Sequence, residues 1–547
     1  MTLPSRVLAR LAKLPSAHTY EVSVERDVAT KMEDGAVLLA DRWYPTRSRA
    51  GGPPVVLMRS PYGRRQVGIV GRLFAERGYQ VLVQSCRGTF GSDGDFDPFH
   101  NEQADGRATL EWIAGQPWFE GRVATFGPSY LGLVQWAVAE DPPPYLKAMA
   151  LDVTAGSFRD SVVYPGGSFA LETSLAWLHQ VTNQERPLLA ALLEQRRTPR
   201  VVRKAAKVLP LRDADRATIG RHAGFFQDWL VHEEPGDPWW DPITFDRRLA
   251  EVPPASLVGG WYDIFLPRQV ADFGALRAAG REARLTIGPW THASPAGMAE
   301  AVRDGLEWFD VHLGLRPERG RPHPVRVFVM GSKRWVGLED WPPPTAPQPW
   351  YLQAGGRLSP APPSASPADH YHYDPADPAP GIGGPSLMAP NAGRKNQAAR
   401  EARDDVLVYT SEPLAEELTV IGPLRADLHL RSSVEHTDVF VRLCDVDQKG
   451  VSTNIADGIV RLGPADIARG ADGVFAVAVD MWPTANTFRR GHQLRLQVSS
   501  AAHPLFVRNT GSGERLASAS ELRPSDHEVL HDPEHASAVI LPVGGFG

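Results

Sequence analysis

The most informative segment of the chain reads Val123-Ala124-Thr125-Phe126-Gly127-Pro128-Ser129-Tyr130-Leu131-Gly132. Its first four residues form a short apolar run typical of a buried strand, and Leu131–Ala139 has the pattern of a helix. The segment therefore predicts a tight strand-to-helix turn with Ser129 at its apex. Such a turn holds a serine hydroxyl out of the sheet, and the helix start directs backbone N–H groups at a developing oxyanion.

The glycine pattern around Ser129 departs from the usual nucleophile turn, Gly-x-Ser-x-Gly. Leu131 occupies the place of the second glycine, which comes one position later at Gly132. A glycine-rich turn without chemistry therefore stays open at this point. The surroundings favour a nucleophile, because short apolar runs alternate with helical patterns, as in an α/β layer with a largely parallel sheet. These runs predict strands at Val37–Ala40, Val55–Met58 and Val81–Val83 and a helix near residues 101–114.

A serine nucleophile needs a base and a carboxylate that orients the base. In an α/β-hydrolase the acid and then the histidine follow the serine along the chain, each after a strand. Asp263 comes after the apolar run Ala255–Val258, and His292 comes after Arg284–Ile287. A lone Asp at such a place is usually a turn residue, and most of the 17 histidines are expected elsewhere. The joint order nevertheless predicts a Ser-Asp-His triad.

The chain changes character several times along its length. Residues 156–248 are rich in Leu, Ala, Arg and Gln, which predicts a helical insertion, and strand patterns return after it. Residues 342–380 are dense in proline and predict a linker or extended loop, whereas period-two alternation beyond them predicts an all-β sandwich. We therefore expect an α/β core in residues 1–155 and 249–346, a helical cap in 156–248 and a β domain in 347–547.

The composition restricts the class of protein. With 547 residues, of which 42% are apolar, the chain is too long for one core, and its net charge of -6 argues against a nucleic-acid partner. No apolar run is long enough to cross a membrane. Charges interrupt the apolar residues of segment 1–16, which predicts an amphipathic helix rather than a signal peptide and hence a cytoplasmic location. Cys86 and Cys444 are too few for a disulfide framework or a zinc site, and we expect both to be small buried side chains.

The sequence contains no recognisable cofactor or metal motif. It lacks a His-Glu-x-x-His pair, a phosphate loop and a dinucleotide fingerprint. Asp93, Asp95 and Asp97 alternate around Gly94 and suggest calcium, but the other ligands of a calcium loop are missing, so a solvated turn is favoured. We expect neither a cofactor nor a metal.

Four motifs together resemble a known family. They are Cys86-Arg87-Gly88 with Ser92-Asp93-Gly94, the Gly127–Gly132 segment, Gly260-Trp261-Tyr262-Asp263 and Gly288-Pro289-Trp290-Thr291-His292. In this order the motifs resemble the cocaine esterase group, within the superfamily of X-prolyl dipeptidyl peptidases and α-amino-acid ester hydrolases. The resemblance extends from about residue 20 to the end of the chain. The displaced Gly132 is that family's own form of the turn.

The resemblance implies an α/β-hydrolase core, an inserted helical cap and a C-terminal jelly-roll β-sandwich. It also implies Ser129 as nucleophile, His292 as base and Asp263 as the acid. The oxyanion hole would consist of the Tyr62 hydroxyl and the Tyr130 backbone N–H. From the residues alone, Tyr62 follows a predicted strand where such a donor is needed, and a purely packing role for it stays equally open.

The implied substrate pocket is aromatic and apolar, with Trp177, Phe265, Leu387 and Met388 in its wall. Val162 stands near a position where the family has a tryptophan, which implies a smaller or reshaped acyl pocket. The function expected is hydrolysis of a small-molecule carboxylic ester, or of an amide, through an acyl-enzyme.

Two other functions stay open from the sequence. An X-prolyl dipeptidyl peptidase or α-amino-acid ester hydrolase would need carboxylates that converge on a substrate ammonium. The cap segment offers Glu194, Asp213, Asp215 and Asp228 for this role. An inactive carbohydrate-binding protein is the remote alternative. The family resemblance also favours a homodimer that uses the edges of the jelly roll.

Overall fold

The protein is described by a computed structural model, which covers residues 2–19, 21–46, 52–316 and 321–545. The described residues form two sheets, one of ten strands and one of eleven. The strands of the first sheet are β1 (Val22–Lys31), β2 (Val37–Pro45), β3 (Val55–Ser60), β4 (Gln80–Ser85), β5 (Val123–Pro128), β6 (Leu146–Asp152), β7 (Ala255–Tyr262), β8 (Ala283–Thr291), β9 (Val325–Val329) and β10 (Arg334–Leu338).

The order of the first sheet is β1-β2-β4-β3-β5-β6-β7-β8-β9-β10. Strands β3 to β9 run parallel to one another, whereas β1, β2 and β10 join the two edges of the sheet through antiparallel pairs. The carboxyl ends of the parallel strands therefore lie along one edge of the sheet. Loops from this edge are where α/β proteins usually build their sites.

Helices cover both faces of this sheet. Alternate residues of β3 pack into different clusters: Val56 and Met58 contact the layer of α2 (Arg64–Ala75) and α10 (Pro295–His312), and Val55 and Leu57 contact that of α3 (Glu102–Ala114). The buried strands are mostly apolar because both of their faces are covered. The helices of this layer are α1 (Leu3–Leu11), α2 (Arg64–Ala75), α3 (Glu102–Ala114), α4 (Tyr130–Trp136), α9 (Leu266–Ala278) and α10 (Pro295–His312).

A helical segment lies between β6 and β7, where the sequence predicts an insertion. It consists of α5 (Leu171–Asn183), α6 (Leu188–Ala205), α7 (Ala214–Ile219) and α8 (Gly224–Val231), with a π-helical turn at Arg159–Val163 and short 3₁₀ turns at Pro165–Gly167, Leu211–Asp213, Pro238–Ile243 and Leu249–Glu251. We refer to this segment as the cap.

The second sheet forms a distinct C-terminal β domain. Its elements are β11 (Ala346–Gln353), β12 (Arg357–Ser359), β13 (Asp369–Tyr373), α11 (Ala398–Glu401), β14 (Leu407–Ser411), β15 (Leu418–Ser432), β16 (Thr437–Val446), β17 (Ser452–Leu462), β18 (Phe475–Phe488), β19 (Gln493–Ser499), β20 (Ser525–Leu530) and β21 (Ala538–Val543). Because β21 pairs with both β11 and β15, nine of the strands close into a barrel, and β20 and β13 extend outward from β15.

The proline-rich segment 342–380 is not only a linker, which corrects the expectation from the sequence. It contributes β11, β12 and β13 to the barrel sheet. Pro347 and Pro349 lie in the part of β11 that pairs with β21 but not with β12. Since they are two residues apart, their missing N–H groups lie on the same side of the strand, and a strand tolerates proline where that side has no partner.

The amphipathic N-terminal helix predicted from the sequence is present as α1. Ser5 and Ala9 are buried, while Val7, Leu8 and Leu11 are exposed. Across the parts of the chain that the structure describes, no helix combines the length and the apolar character that a membrane crossing requires.

Gly166 is a contact point between the cap and the β domain. Its φ is +60°, and a Cβ built there would lie 1.9 Å from the carbonyl oxygen of Ile459 in β17. We expect Gly166→Ala to lower the free energy of unfolding by roughly 2 kcal/mol or more, because clash and backbone strain add. Denaturant unfolding would measure this loss. Gly220→Ala is the control, since Gly220 has φ +80° but nothing within 4 Å of its Cβ; equal losses in the two variants would contradict the clash.

Candidate active site

Ser129 lies between the end of β5 and the start of α4 in an unusual backbone conformation. Its φ is 57° and its ψ is -121°, a combination that non-glycine residues rarely adopt. Gly127 before it has φ +151°, and a Cβ there would lie 2.4 Å from the Cβ of Leu131. The crowded turn thus requires a glycine at 127 and holds the Ser129 side chain away from the sheet, as in a nucleophile turn.

The displaced glycine has a packing explanation. A Cβ on Gly132 would lie 2.3 Å from the Cγ2 of Thr154, so only glycine lets α4 approach the segment after β6. The Thr154 hydroxyl also donates a hydrogen bond to the carbonyl oxygen of Ser129, at 3.0 Å. Gly132 and Thr154 together therefore fix the helix that follows the serine.

The structure brings Ser129, His292 and Asp263 together. The Nε2 of His292 lies 3.1 Å from the Oγ of Ser129, and its Nδ1 lies 2.7 Å from the Oδ2 of Asp263. Asp263 directly follows β7 and is fully buried, and His292 directly follows β8. With a proton on Nδ1, the imidazole faces the serine with its free Nε2, which is the arrangement of a general base.

Phe265 holds both the acid and the base in place. Its backbone N–H donates to the Oδ1 of Asp263 at 2.9 Å, and its ring stacks on the imidazole of His292 with a centroid distance of 5.7 Å. The carboxylate therefore has a partner on each oxygen. A buried carboxylate with both oxygens satisfied stays in one orientation, which in turn orients the histidine.

Tyr62 lies beside the serine, in the loop after β3. Its hydroxyl accepts a hydrogen bond of 3.0 Å from the indole Nε1 of Trp177 and also interacts with the Ser129 side chain. Burial raises the pKa of Tyr62 to about 12. The phenol is therefore protonated at neutral pH, as a hydrogen-bond donor to an oxyanion must be.

Tyr130 contributes its backbone and its side chain to different tasks. As the first residue of α4 it has a backbone N–H without an acceptor inside the helix. Its hydroxyl points away from the serine and donates to Glu102 at 2.7 Å, while its ring stacks on Phe99 at 4.3 Å. Burial raises the pKa of this phenol well above its ordinary value. The phenol hydroxyl is thus engaged in the core, and the backbone N–H next to Ser129 is the group of Tyr130 that stays available as a donor.

Ser129 and His292 open into a cavity of about 1040 Å³ between the core, the cap and the β domain. The four pocket residues inferred from the resemblance, Trp177, Phe265, Leu387 and Met388, all line it, and so does Val162. Further apolar lining that the sequence reasoning missed comes from Phe158, Trp229 and Ile264. The cavity is large enough for a drug-sized ligand.

Helix α5 also lines the cavity with polar side chains that the sequence reasoning missed. Thr173, Ser174, Gln180 and Asn183 belong to this set. They lie three, four or six residues from Trp177, so helical periodicity places most of them on or near its face. Their helical spacing from Trp177 is the signal in the sequence that could have found them. Which face of α5 lines the cavity, however, depends on how the cap packs.

The four cap carboxylates do not converge. Glu194 lines the cavity, but it forms ion pairs with Arg197 at 3.0 Å and Arg186 at 3.5 Å. Asp215 is buried and accepts hydrogen bonds from Ala223 and Gln227. Asp228 lines a separate pocket. Asp213 is not among the residues that line the cavity.

The acidic turn after β4 is held by protein contacts. The Oδ2 of Asp93 accepts the backbone N–H of Val37 at 3.0 Å, and Asp97 pairs with His100 at 3.2 Å. Among the described residues, no group of three or more His, Cys, Asp or Glu side chains is arranged for a metal ion. Cys86 and Cys444 are buried and unpaired.

A buried carboxyl group connects the cap to the β domain next to the cavity. Glu172, in the first turn of α5, accepts a short hydrogen bond from the Ser386 hydroxyl and one of 3.4 Å from the amide of Asn391. The Ser386 hydroxyl in turn accepts the backbone N–H of Met388 at 3.1 Å. Burial raises the pKa of Glu172 to about 7. This chain of contacts positions the Leu387–Met388 wall relative to α5.

Comparison with known proteins places the chain in a family. Residues 34–294 match the X-Pro dipeptidyl-peptidase (S15 family) model, and residues 320–540 match the X-Pro dipeptidyl-peptidase C-terminal non-catalytic domain. Cocaine esterase from Rhodococcus sp. (strain MB1 Bresler) is 34% identical over 581 residues, which cover 95% of this chain and 98% of that protein. The chain belongs to the cocaine esterase-like S15 family. It is a serine ester hydrolase.

Two solved structures share the fold of this S15 member. One is an aminopeptidase from a marine sediment Thaumarchaeota archaeon, with 23% identity, and the other is an α-amino-acid ester hydrolase labelled with selenomethionine, with 21% identity. Each superimposes with a TM-score of 0.81 and covers 97% of this chain and 98% of its own. The shared fold is an α/β-hydrolase-like N-terminal part followed by a distinct C-terminal β domain.

The raised pKa of Glu172 makes the stability of this S15 member depend on pH. The folded protein favours the protonated carboxyl up to about pH 7, whereas an ordinary glutamate ionises at about 4.5. As the pH rises from about 4.5 to about 7, ionisation of Glu172 therefore increasingly favours the unfolded state. The resulting loss in the free energy of unfolding is constant above about pH 7. Over these 2.5 pH units it amounts to roughly 3 kcal/mol.

We expect Glu172→Gln to remove this penalty, so that the variant gains stability relative to the wild type between pH 5 and pH 8. Urea unfolding at both pH values measures the difference. Glu251→Gln, at an exposed glutamate, is the control and should leave the pH trend unchanged. If the free energy of unfolding of Glu172→Gln fell with rising pH as much as that of the wild type, the raised pKa of Glu172 would not be the cause.

Proposed function

We propose that the protein hydrolyses carboxylic esters through an acyl-enzyme on Ser129, with His292 as general base and Asp263 as the acid that orients it. The observation that supports this most directly is the continuous hydrogen-bond chain, 3.1 Å from Ser129 to His292 and 2.7 Å from His292 to Asp263. Such a chain activates a serine that would otherwise be a weak nucleophile.

The proposed reaction has two halves. His292 removes the proton from Ser129 as the hydroxyl attacks the ester carbonyl, and it then delivers that proton to the departing alcohol. Water attacks the acyl-enzyme in the second half, again with His292 as base, and the carboxylic acid leaves. In both halves the negative charge on the carbonyl oxygen is stabilised by the Tyr62 hydroxyl and the Tyr130 N–H.

The cavity favours a plain ester over an amino ester or an X-Pro peptide. Those substrates carry an ammonium group that requires unpaired carboxylates. Glu194 is the single carboxylate among the described lining residues, and Arg186 and Arg197 already pair with it. A largely apolar wall suits a bulky, uncharged acyl group. Val162 lines the cavity, and because valine is smaller than the tryptophan of the family, it leaves room for such a group; the expectation of a smaller acyl pocket is thereby revised to that of a reshaped one. The relatives named above give no support to an inactive carbohydrate-binding protein.

The proposed organisation follows the segments expected from the sequence. It assigns residues 1–155 and 249–346 to the hydrolase core, 156–248 to the cap and 347–547 to the β domain. The barrel of antiparallel pairs supports a jelly-roll description of that domain, although β12 pairs with β14 in parallel. A homodimer through the edges of this domain stays a prediction.

Replacement of the nucleophile is the primary test. We expect Ser129→Ala to lower kcat on a nitrophenyl ester by about four orders of magnitude or more, because the remaining groups cannot form an acyl-enzyme. A fluorophosphonate probe should label the wild type and Ser332→Ala, a serine outside the cavity, but not Ser129→Ala. Near-native turnover or labelling of Ser129→Ala would refute the proposal.

The oxyanion hole is tested by removal of one hydroxyl. Tyr62→Phe is expected to lower kcat by about a hundredfold or more with little change in KM, because the lost hydrogen bond forms in the transition state. Steady-state kinetics would measure kcat and KM separately and so show whether only kcat falls. Tyr145→Phe removes a hydroxyl outside the cavity and should leave both constants unchanged. An unchanged kcat in Tyr62→Phe would show that Tyr62 serves only packing.

A further inference from the structure

A buried hydroxyl lies in the wall of the cavity, on the helix that carries Trp177. Ser174, on α5, is only 2% exposed and lines the cavity, with Thr173 beside it at 5%. Ser174 precedes Trp177 by three residues, so the two share a face of the helix. Trp177 in turn donates to Tyr62 next to the serine. The Ser174 hydroxyl is thus one helical turn from Trp177, which contacts Tyr62 beside Ser129.

The Ser174 hydroxyl has no hydrogen-bond partner among the residues that the structure describes. Helical hydroxyls elsewhere in this protein behave differently. The hydroxyls of Thr109 and Thr218 each donate to the carbonyl oxygen four residues earlier, at 2.7 Å. For a buried hydroxyl, the absence of a partner is costly, because it gives up its hydrogen bonds with water and receives none in return. A serine is therefore a poor choice for this position on packing grounds alone.

The charges of the cavity restrict what the hydroxyl can bind. The single carboxylate and the single guanidinium among the described lining residues, Glu194 and Arg196, both belong to α6. A neutral hydroxyl cannot compensate the desolvation of an ion. The partner that suits Ser174 is therefore a neutral polar atom on an otherwise apolar group.

We propose that Ser174, with Thr173 beside it, is a specificity-determining residue that hydrogen-bonds a neutral polar atom on the acyl group of the substrate. The substrate class is then a carboxylic ester whose acyl part is bulky and apolar but carries a hydroxyl, as an aromatic hydroxy acid does. This inference rests on the proposed ester hydrolysis at Ser129 and deepens it.

The test compares matched esters in matched variants. Nitrophenyl benzoate and its ortho-, meta- and para-hydroxybenzoate analogues are hydrolysed by the wild type and by Ser174→Ala, and kcat/KM is measured for each. Since each ester is its own reference, differences in intrinsic reactivity cancel. We expect at least one hydroxylated ester to lose about tenfold in Ser174→Ala relative to unsubstituted benzoate, which should be unaffected or improved.

Ser161→Ala is the control variant, because Ser161 is buried in the same cap but donates to the carbonyl of Ser157 and does not line the cavity. It should lower the thermal unfolding temperature without changing the preference among the four esters. Ser174→Ala should not lower that temperature in the ligand-free enzyme, because the alanine removes an unpaired hydroxyl.

Two results would overturn the inference. One is the same relative change in kcat/KM for all four esters in Ser174→Ala. The other is a drop in unfolding temperature as large as that of Ser161→Ala, which would assign the hydroxyl to the fold. Neither result affects the proposed function, which fails if Ser129→Ala keeps near-native turnover or is labelled by the probe.

Discussion

The site depends on one constraint of the sheet: parallel strands end at the same edge. The loops after β3, β5, β7 and β8 carry Tyr62, Ser129, Asp263 and His292 respectively. Residues that are up to 230 positions apart in the chain therefore meet without any long irregular connection. The strained φ of Ser129 is tolerable only because β5 and α4 are fixed on either side of it, by sheet pairing and by the close contact of Gly132 with Thr154.

The cap and the β domain complete what the sheet edge begins. Alone, the core offers the proposed nucleophile, base and acid on an open edge. The cap adds Trp177 and the polar face of α5, and the β domain adds Leu387 and Met388. Glu172 ties these two additions together through Ser386 and Asn391. Because the carboxyl is buried, its ionisation lowers the free energy of unfolding as the pH rises. Glu172 therefore positions the two parts relative to each other but does not stabilise the fold at neutral pH.

The sequence predicts the core of the site well because its signals are local. Ser129, Asp263 and His292 each stand at the end of an apolar run, and their order along the chain is that of an α/β-hydrolase. The wall of the cavity is harder to predict. Ser174 is visible as a polar residue in a helix, but the packing of the cap decides that it faces the cavity. Pro347 and Pro349 misled for a similar reason, since their strand partner β21 lies about 190 residues later in the chain.

The hydrogen bond from Trp177 to Tyr62 has a consequence for the proposed oxyanion hole. An indole N–H can only donate, so the Tyr62 oxygen accepts from the cap and its own proton stays available for another acceptor. Burial keeps that proton on the phenol, because it raises the pKa of Tyr62 to about 12. In the proposed reaction the acceptor is the carbonyl oxygen of the ester. The cap therefore does more than enclose the cavity: by the direction of a single hydrogen bond it determines which way the Tyr62 hydroxyl donates.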